Sequence, residues 1–350
     1  MKSKNEIYCL QAGRGIAACL VVLFHVNGLV SSPQYWNEQL LAGVFRFGHA
    51  GVEFFFVLSG FIMTLVHQRD IGRASRIYNY AIKRIARIYP LYWLVTLAVF
   101  ALYFVSGNAK HALLYNSIFL IGLHAESVLA VGWTLFHEIT FYIIFGILIL
   151  NRKLGIVIFC IWMALCITSV WMNFSHYSLQ TINVNFMFGI LAGIYFNKLK
   201  ITHVIMMISI FCFVAIGLEE VYVKAVDPEL RSIMYGLASA FGIAAAVSAE
   251  KAGSISSPYS MRLLGDASYS LYLVHYPVIA IAAQIWRNSP VKDLPMPIAF
   301  VTLLAVALTA GLITHAVVER PIISFFNRRM AKRRVEPIAN TGSEANIAGR

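Results

Sequence analysis

Ten stretches of this chain are apolar for long enough to cross a bilayer, and that restricts it almost entirely to helices. They cover 10–30, 43–66, 88–106, 133–150, 154–172, 180–197, 203–219, 231–250, 268–286 and 298–319. Each meets the length needed to cross a hydrocarbon layer ~30 Å thick. Backbone polar groups find no water there, so a spanning segment must satisfy them internally, as a helix does. Composition agrees: 59% of the 350 residues are hydrophobic and 13% are charged. That leaves too little polar surface to cover a water-soluble domain of this size. The expected fold class is an all-α integral membrane protein of about ten transmembrane helices. The stretch 111–124 is apolar but short, and is expected to be re-entrant or interfacial.

The net charge of +12 would suit a nucleic-acid binder, but its distribution argues against one. Basic residues gather at the ends of apolar runs, as orientation signals do. With the N-terminus inside and ten spans, only Arg46, Lys110, Lys224, Arg231, Arg287 and Lys292 of the 28 Lys and Arg fall outside. Both termini are therefore expected in the cytoplasm. Residues 1–322 form one membrane-embedded domain, and 323–350 a basic cytoplasmic tail without structure. The first span is read as retained, since no small-residue cleavage site follows it. The five cysteines, Cys9, Cys19, Cys160, Cys166 and Cys212, lie in or beside apolar segments and are expected to pack as small side chains.

The first span holds two residues that a lipid-facing helix has no use for. His25 follows Arg14 by about three helical turns, so both leave one face, about 16 Å apart along the axis. Ionisable residues inside a membrane mark functional sites by default. Glu53, counted inward along the second span, comes to a similar depth. A carboxylate beside an imidazole fixes its tautomer and raises its basicity, as a general base requires; a buried pair that only joins two helices has the same spacing. Gly48, Gly51, Ser59 and Gly60 around Glu53 permit close helix approach. The outer segments 31–42, with Tyr35 and Trp36, and 219–230, with Glu219, Glu220, Asp227 and Glu229, suit either a sugar or an ordinary interface.

Further along, the chain carries Arg84-Ile85-Ala86-Arg87-Ile88-Tyr89-Pro90 and Trp133-Thr134-Leu135-Phe136-His137-Glu138 with Phe141 and Tyr142. It then carries Ser268-Tyr269-Ser270-Leu271-Tyr272-Leu273-Val274-His275-Tyr276-Pro277 and Glu319-Arg320-Pro321. Together with Arg14/His25 and the Gly51–Phe61 run, these resemble, in order, the motifs of the membrane-bound acyltransferase-3 family, bacterial proteins that acylate envelope sugars. Glu53 stands where that family usually has aspartate. The Glu6–Gly15 opening is similar to the branch that decorates exopolysaccharides.

The resemblance implies an O-acyltransferase in the bacterial inner membrane. Its donor would be a cytoplasmic acyl-CoA, usually acetyl-CoA, with no permanently bound cofactor and no metal. Its acceptor would be a hydroxyl of an exopolysaccharide, lipopolysaccharide or related glycan, or of a lipid-linked precursor. Carried over residue by residue, His25 and Glu53 are the catalytic pair. Arg14, Arg84, Arg87, His275 and Arg320 form the acyl-CoA site on the cytoplasmic side, where arginines suit phosphate. Glu138, Trp133, Ser270 and Glu319 take acceptor or supporting positions. His25 would deprotonate the sugar hydroxyl or carry the acyl group covalently. Tyr89, Tyr92, Tyr142, Tyr269 and Tyr272 read as interfacial anchors, and His124 and His137 do not converge as metal ligands. The rival from another class is a transporter or flippase for a polysaccharide intermediate, which buried charges also suit.

Overall fold

The computed structural model describes residues 7–38, 40–107, 111–120, 126–172, 176–199 and 202–335. All regular structure among them is helical. Helix α1 (Tyr8–Val30) is followed by a 3₁₀ stretch, Leu40–Ala50, that leads into α2 (Gly51–His67). Helix α3 (Ile77–Val105) precedes the short α4 (His111–Phe119). Helices α5 (Trp133–Leu150) and α6 (Arg152–Met172) form a tight hairpin. Its turn is fixed by Asn151, whose Oδ1 accepts from the amides of Lys153 and Leu154.

Helix α7 (Val184–Tyr195) is short, and α8 (Thr202–Leu218) ends in a π turn, Glu219–Val223. Asp227 caps α9 (Pro228–Lys251) by accepting from Glu229 and Leu230, with proline at the first helical position. Helix α10 (Tyr259–Asp266) leads directly into α11 (Ser268–Arg287). Helix α12 (Met296–Thr314) continues through a π turn, His315–Glu319, into α13 (Arg320–Val335).

Among the described residues eight helices are long and apolar enough to cross a membrane. The expected count of about ten also included α7 and α11. Helix α7 has 12 residues, or about 18 Å of rise, because 3₁₀ turns interrupt its segment at both ends. Helix α11 has the length but carries Ser268, Tyr269, Ser270, His275, Tyr276 and Gln284, side chains that lower its hydropathy. The short apolar stretch at 111–124 contains α4, and its end, 121–124, lies outside the described residues. Helix α13 is a second difference. Residues 323–335 are helical and pack against α3, where an unstructured tail was expected; 336–350 lies outside the described residues.

The main apolar core joins α2, α3, α5, α6, α7 and α11 around Phe136, Phe141, Phe145 and Phe186. A second core seals α1 against α11 and α12. Apolar side chains such as Leu97, Ile143, Ile161, Phe211 and Val301 face outward, which a hydrocarbon solvent permits and water penalises. Helices α2 and α7 touch backbone to backbone. A Cβ on Gly60 would strike the carbonyl of Phe186, and one on Gly189 the carbonyl of Val57. Glycine is required at that crossing. It pulls α2 into the centre of the bundle, where its Ser59 lines a cavity.

Candidate active site

Helices α1, α2, α3, α5 and α11 enclose a cavity lined by Arg14, Ser59, Arg84, Arg87, Glu138, Tyr142 and Tyr272, among others. Helix α3 begins at Ile77, earlier than the apolar run at 88 suggested. Arg84 and Arg87 therefore sit about 10 Å and about 15 Å into the helix, and they line the interior. Three guanidinium groups and one carboxyl group face one space, which makes it an anion-seeking site.

Apart from Arg87, each polar group named there has a hydrogen-bond partner. Nε of Arg14 donates to Oγ of Ser268 at 3.0 Å, leaving its two Nη groups for a ligand. Nη2 of Arg84 donates to Nε2 of His67 at 3.4 Å, and Nδ1 of His67 donates to Oδ2 of Asp70 at 2.9 Å. The guanidinium of Arg84 also lies over the Tyr142 ring, 5.4 Å from its centre. Its Nε is buried and has no partner among the described residues. Glu138 accepts from Tyr142 Oη at 2.5 Å and from Ser59 Oγ at 3.3 Å. Tyr269 Oη donates to the carbonyl of Ile88, and Tyr272 Oη to that of Val131. These tyrosines lie inside the bundle and do not act as interfacial anchors.

A second polar centre lies deeper along α1 and α11. His25 and His275 meet with Nδ1 of the first 3.1 Å from Nε2 of the second. The surrounding carbonyls fix the protons. Nδ1 of His275 is 3.0 Å from the carbonyl of Leu271, and Nδ1 of His25 is 2.9 Å from that of Val21. A carbonyl only accepts, so both Nδ1 atoms carry hydrogen. Nε2 of His275 is then the acceptor for His25, and Nε2 of His25 keeps a free lone pair. His275 is fully buried, whereas His25 is partly accessible. The Tyr272 ring lies 5.9 Å from that of His275 and also lines the cavity, so it joins the two centres.

The structure thus keeps the Arg14–His25 stripe together: both residues turn toward α11. It separates other expected partners. Glu53 does not reach His25. It is buried near His49, with 4.0 Å between Nδ1 and Oε2, and His49 in turn bonds Glu220 at 2.7 Å. Arg231 and Tyr235 complete that cluster. His275 was expected beside the arginines; it lies two turns into α11 and pairs with His25 instead. Glu138 was expected on the acceptor side and shares the arginine cavity. Glu319 accepts from Ser270 at 2.6 Å and from His315 at 2.8 Å. Arg320 is exposed on α13. Trp133 packs edge-on against His137, whose Nδ1 lies 3.0 Å from Oδ1 of Asn183; His124 lies outside the described residues.

Sequence reasoning did not anticipate His67, Asp70 or Ser268 as supports of the arginines. Two spacings would have pointed to part of this. Glu138 and Tyr142 are one turn apart, and Ser268, Tyr272 and His275 follow one helical stripe.

A multi-pass helical membrane protein with this buried cationic cavity beside a polarised imidazole fits the membrane acyltransferases. Residues 7–316 match the family model described as an acyltransferase domain, and the chain belongs to that acyltransferase-3 family. Exopolysaccharide production protein ExoZ of Rhizobium meliloti is 28% identical over 325 residues, covering 87% of this chain and 95% of that protein. Peptidoglycan O-acetyltransferase OatA of Listeria monocytogenes is 25% identical over 359 residues. That match covers 88% of this chain and 54% of OatA, so the chain spans about half of that relative. No solved structure matches the chain.

Proposed function

We propose that this acyltransferase moves an acetyl group from acetyl-CoA to a sugar hydroxyl of an exported or envelope polysaccharide, or of its lipid-linked precursor. It does so as a ten-pass protein of the bacterial inner membrane, with both termini in the cytoplasm. The positive-inside bias supports that orientation, and α7 and α11 supply the two passes beyond the eight long apolar helices. The names of the two relatives concern exopolysaccharide and peptidoglycan, which supports a glycan acceptor.

The observation that carries the mechanism is the protonation pattern of the histidine pair. The free Nε2 of His25 takes the proton of the acceptor hydroxyl. As the ring becomes an imidazolium, its Nδ1–H donates more strongly to His275 and to Val21. The alkoxide attacks the thioester carbonyl, the tetrahedral intermediate collapses, and the thiolate leaves with the proton returned from His25. Arg14, Arg84 and Arg87 hold the anionic donor. Glu138 and the tyrosines shape the cavity in which its acyl end lies. Glu53 acts from a distance by holding the His49–Glu220 cluster that braces α2.

The test is a His25→Ala strain compared with the wild type by NMR of the surface polysaccharide, with membrane levels of the protein measured in parallel. Polymer made in normal amount without ester groups is the expected result. Wild-type acetylation in that strain would remove His25 from the chemistry. Loss of the polymer itself would favour transport.

A further inference from the structure

Arg84 and Arg87 face more than the central cavity. On its other side, toward α13, the same pair lines a groove with Lys83, Ile323, Phe326 and Asn327. Lys83 and Arg87 are one turn apart on α3, and Arg84 and Arg87 also share a face. Like charges at that spacing destabilise a helix. Among the described residues none of the three lies within ion-pair distance of a carboxylate, and no acidic side chain lines the groove. Ile323 and Phe326 give it an apolar wall with one aromatic ring, and Asn327 adds an amide that can donate and accept. The two spaces share a wall made of the two arginines.

We infer that the α3–α13 groove binds the phosphate-bearing nucleotide end of the acyl donor, with Lys83 and Asn327 as contacts beyond the arginine pair. This rests on the acyl-CoA reading and on the cytoplasmic placement of the start of α3. Phosphate oxygens complement Lys83, Arg84 and Arg87, and a base has the ring of Phe326 to stack on. The flexible arm of the donor then passes the arginines into the central cavity toward His25, which lies about 16 Å beyond Arg14 along α1. Helix α13 is therefore one wall of the donor site.

The test compares acetyl-CoA with acetyl-pantetheine, which has the same thioester and no phosphate, using full-length protein in vesicles. Lys83→Glu should raise KM for acetyl-CoA about tenfold, an effect that shrinks as salt rises. KM for acetyl-pantetheine should not change. Asn327→Asp should act in the same direction, more weakly. An equal loss with both donors, or no change with either, overturns the groove assignment. Turnover by the unmodified protein with neither donor overturns the acyl-CoA reading, and the groove assignment with it. Each measurement is made in neutral phosphatidylcholine and in vesicles containing phosphatidylglycerol. A Lys83→Glu effect confined to the anionic vesicles would assign the groove to a lipid phosphate and overturn the donor assignment.

Discussion

Replacing His275 with leucine separates a base that works alone from one that works as half of a pair. Leucine fills a similar buried volume and leaves the Nδ1–H of His25 bonded to Val21, 2.9 Å away, so the reactive tautomer survives. What is lost is the acceptor at 3.1 Å. Between neutral rings such a bond contributes about 1 kcal/mol, but to an imidazolium about 1.5–3 kcal/mol. The charge develops as the acceptor hydroxyl loses its proton, so the larger figure applies to the transition state. Only the difference, about 0.5–2 kcal/mol, slows the step, which at ~1.4 kcal/mol per decade predicts a fall in kcat of about 2- to 30-fold. The KM for the donor should hold, because His275 is not among the residues that line the arginine cavity. His25→Ala should cost about 10²- to 10⁴-fold. Initial rates of acetyl transfer in vesicles, normalised to folded protein, would show the order of the two variants. A His275→Leu enzyme within twofold of wild type would refute the pair; one as slow as His25→Ala would mean that His275 also handles the proton.

Other substitutions test the supports. Arg14→Lys keeps the charge but cannot both donate Nε to Ser268 and offer a planar fork. It should raise the donor KM by about tenfold, and an unchanged donor KM would release Arg14 from that role. His67→Ala frees Arg84 and should weaken donor binding about 3- to 10-fold. Glutamine there can accept from Arg84 and donate to Asp70, so His67→Gln should recover most of the loss, and equal defects in both variants would count against a positioning role. Gly189→Ala puts a methyl against the Val57 carbonyl and should destabilise the bundle by about 1–3 kcal/mol, seen as a lower melting temperature in detergent. An unchanged melting temperature would mean that the α2–α7 crossing can relax.

What the sequence made legible was the content of each helix, because hydropathy and the 3.6-residue period are local. The stripe of Arg14 and His25 and the arginine pair on α3 follow from that period alone. Which neighbour a stripe meets is a different kind of information. Matching Glu53 to His25 used depth, and depth does not fix how a helix is turned about its axis. Glu53 lies near the π turn that holds Glu220 and near α9, and its one-turn spacing from His49 was the local sign of that cluster. The tyrosines misled for a related reason. An interfacial tyrosine and a buried one both need an apolar body and a partner for the hydroxyl, so Tyr142, Tyr269 and Tyr272 look alike in sequence whether they meet headgroups or carbonyls. Helix α13 was hidden by its charge, since a run of Arg and Lys reads as solvated until Ile323 and Phe326 are seen against α3.

The register between α1 and α11 explains why two polar centres can share one pair of helices. Arg14 meets Ser268, and His25 meets His275. Along α1 these contacts are about 16 Å apart, but along α11 only about 10 Å. The arginine makes up the difference, because its long stem lets the guanidinium climb about 6 Å from its own Cα toward the histidines. The histidines have short side chains and must lie level with each other. An arginine is thus the residue type that can be anchored at one depth and deliver its charge at another, while an imidazole reports the depth of its own helix turn. On the proposed reading Arg14 is anchored on the donor side, and its charge is carried inward along the stripe that leads to His25. In the proposed reaction that is the direction in which the uncharged thioester of an anionic donor would have to reach for its carbonyl to meet the deprotonated hydroxyl.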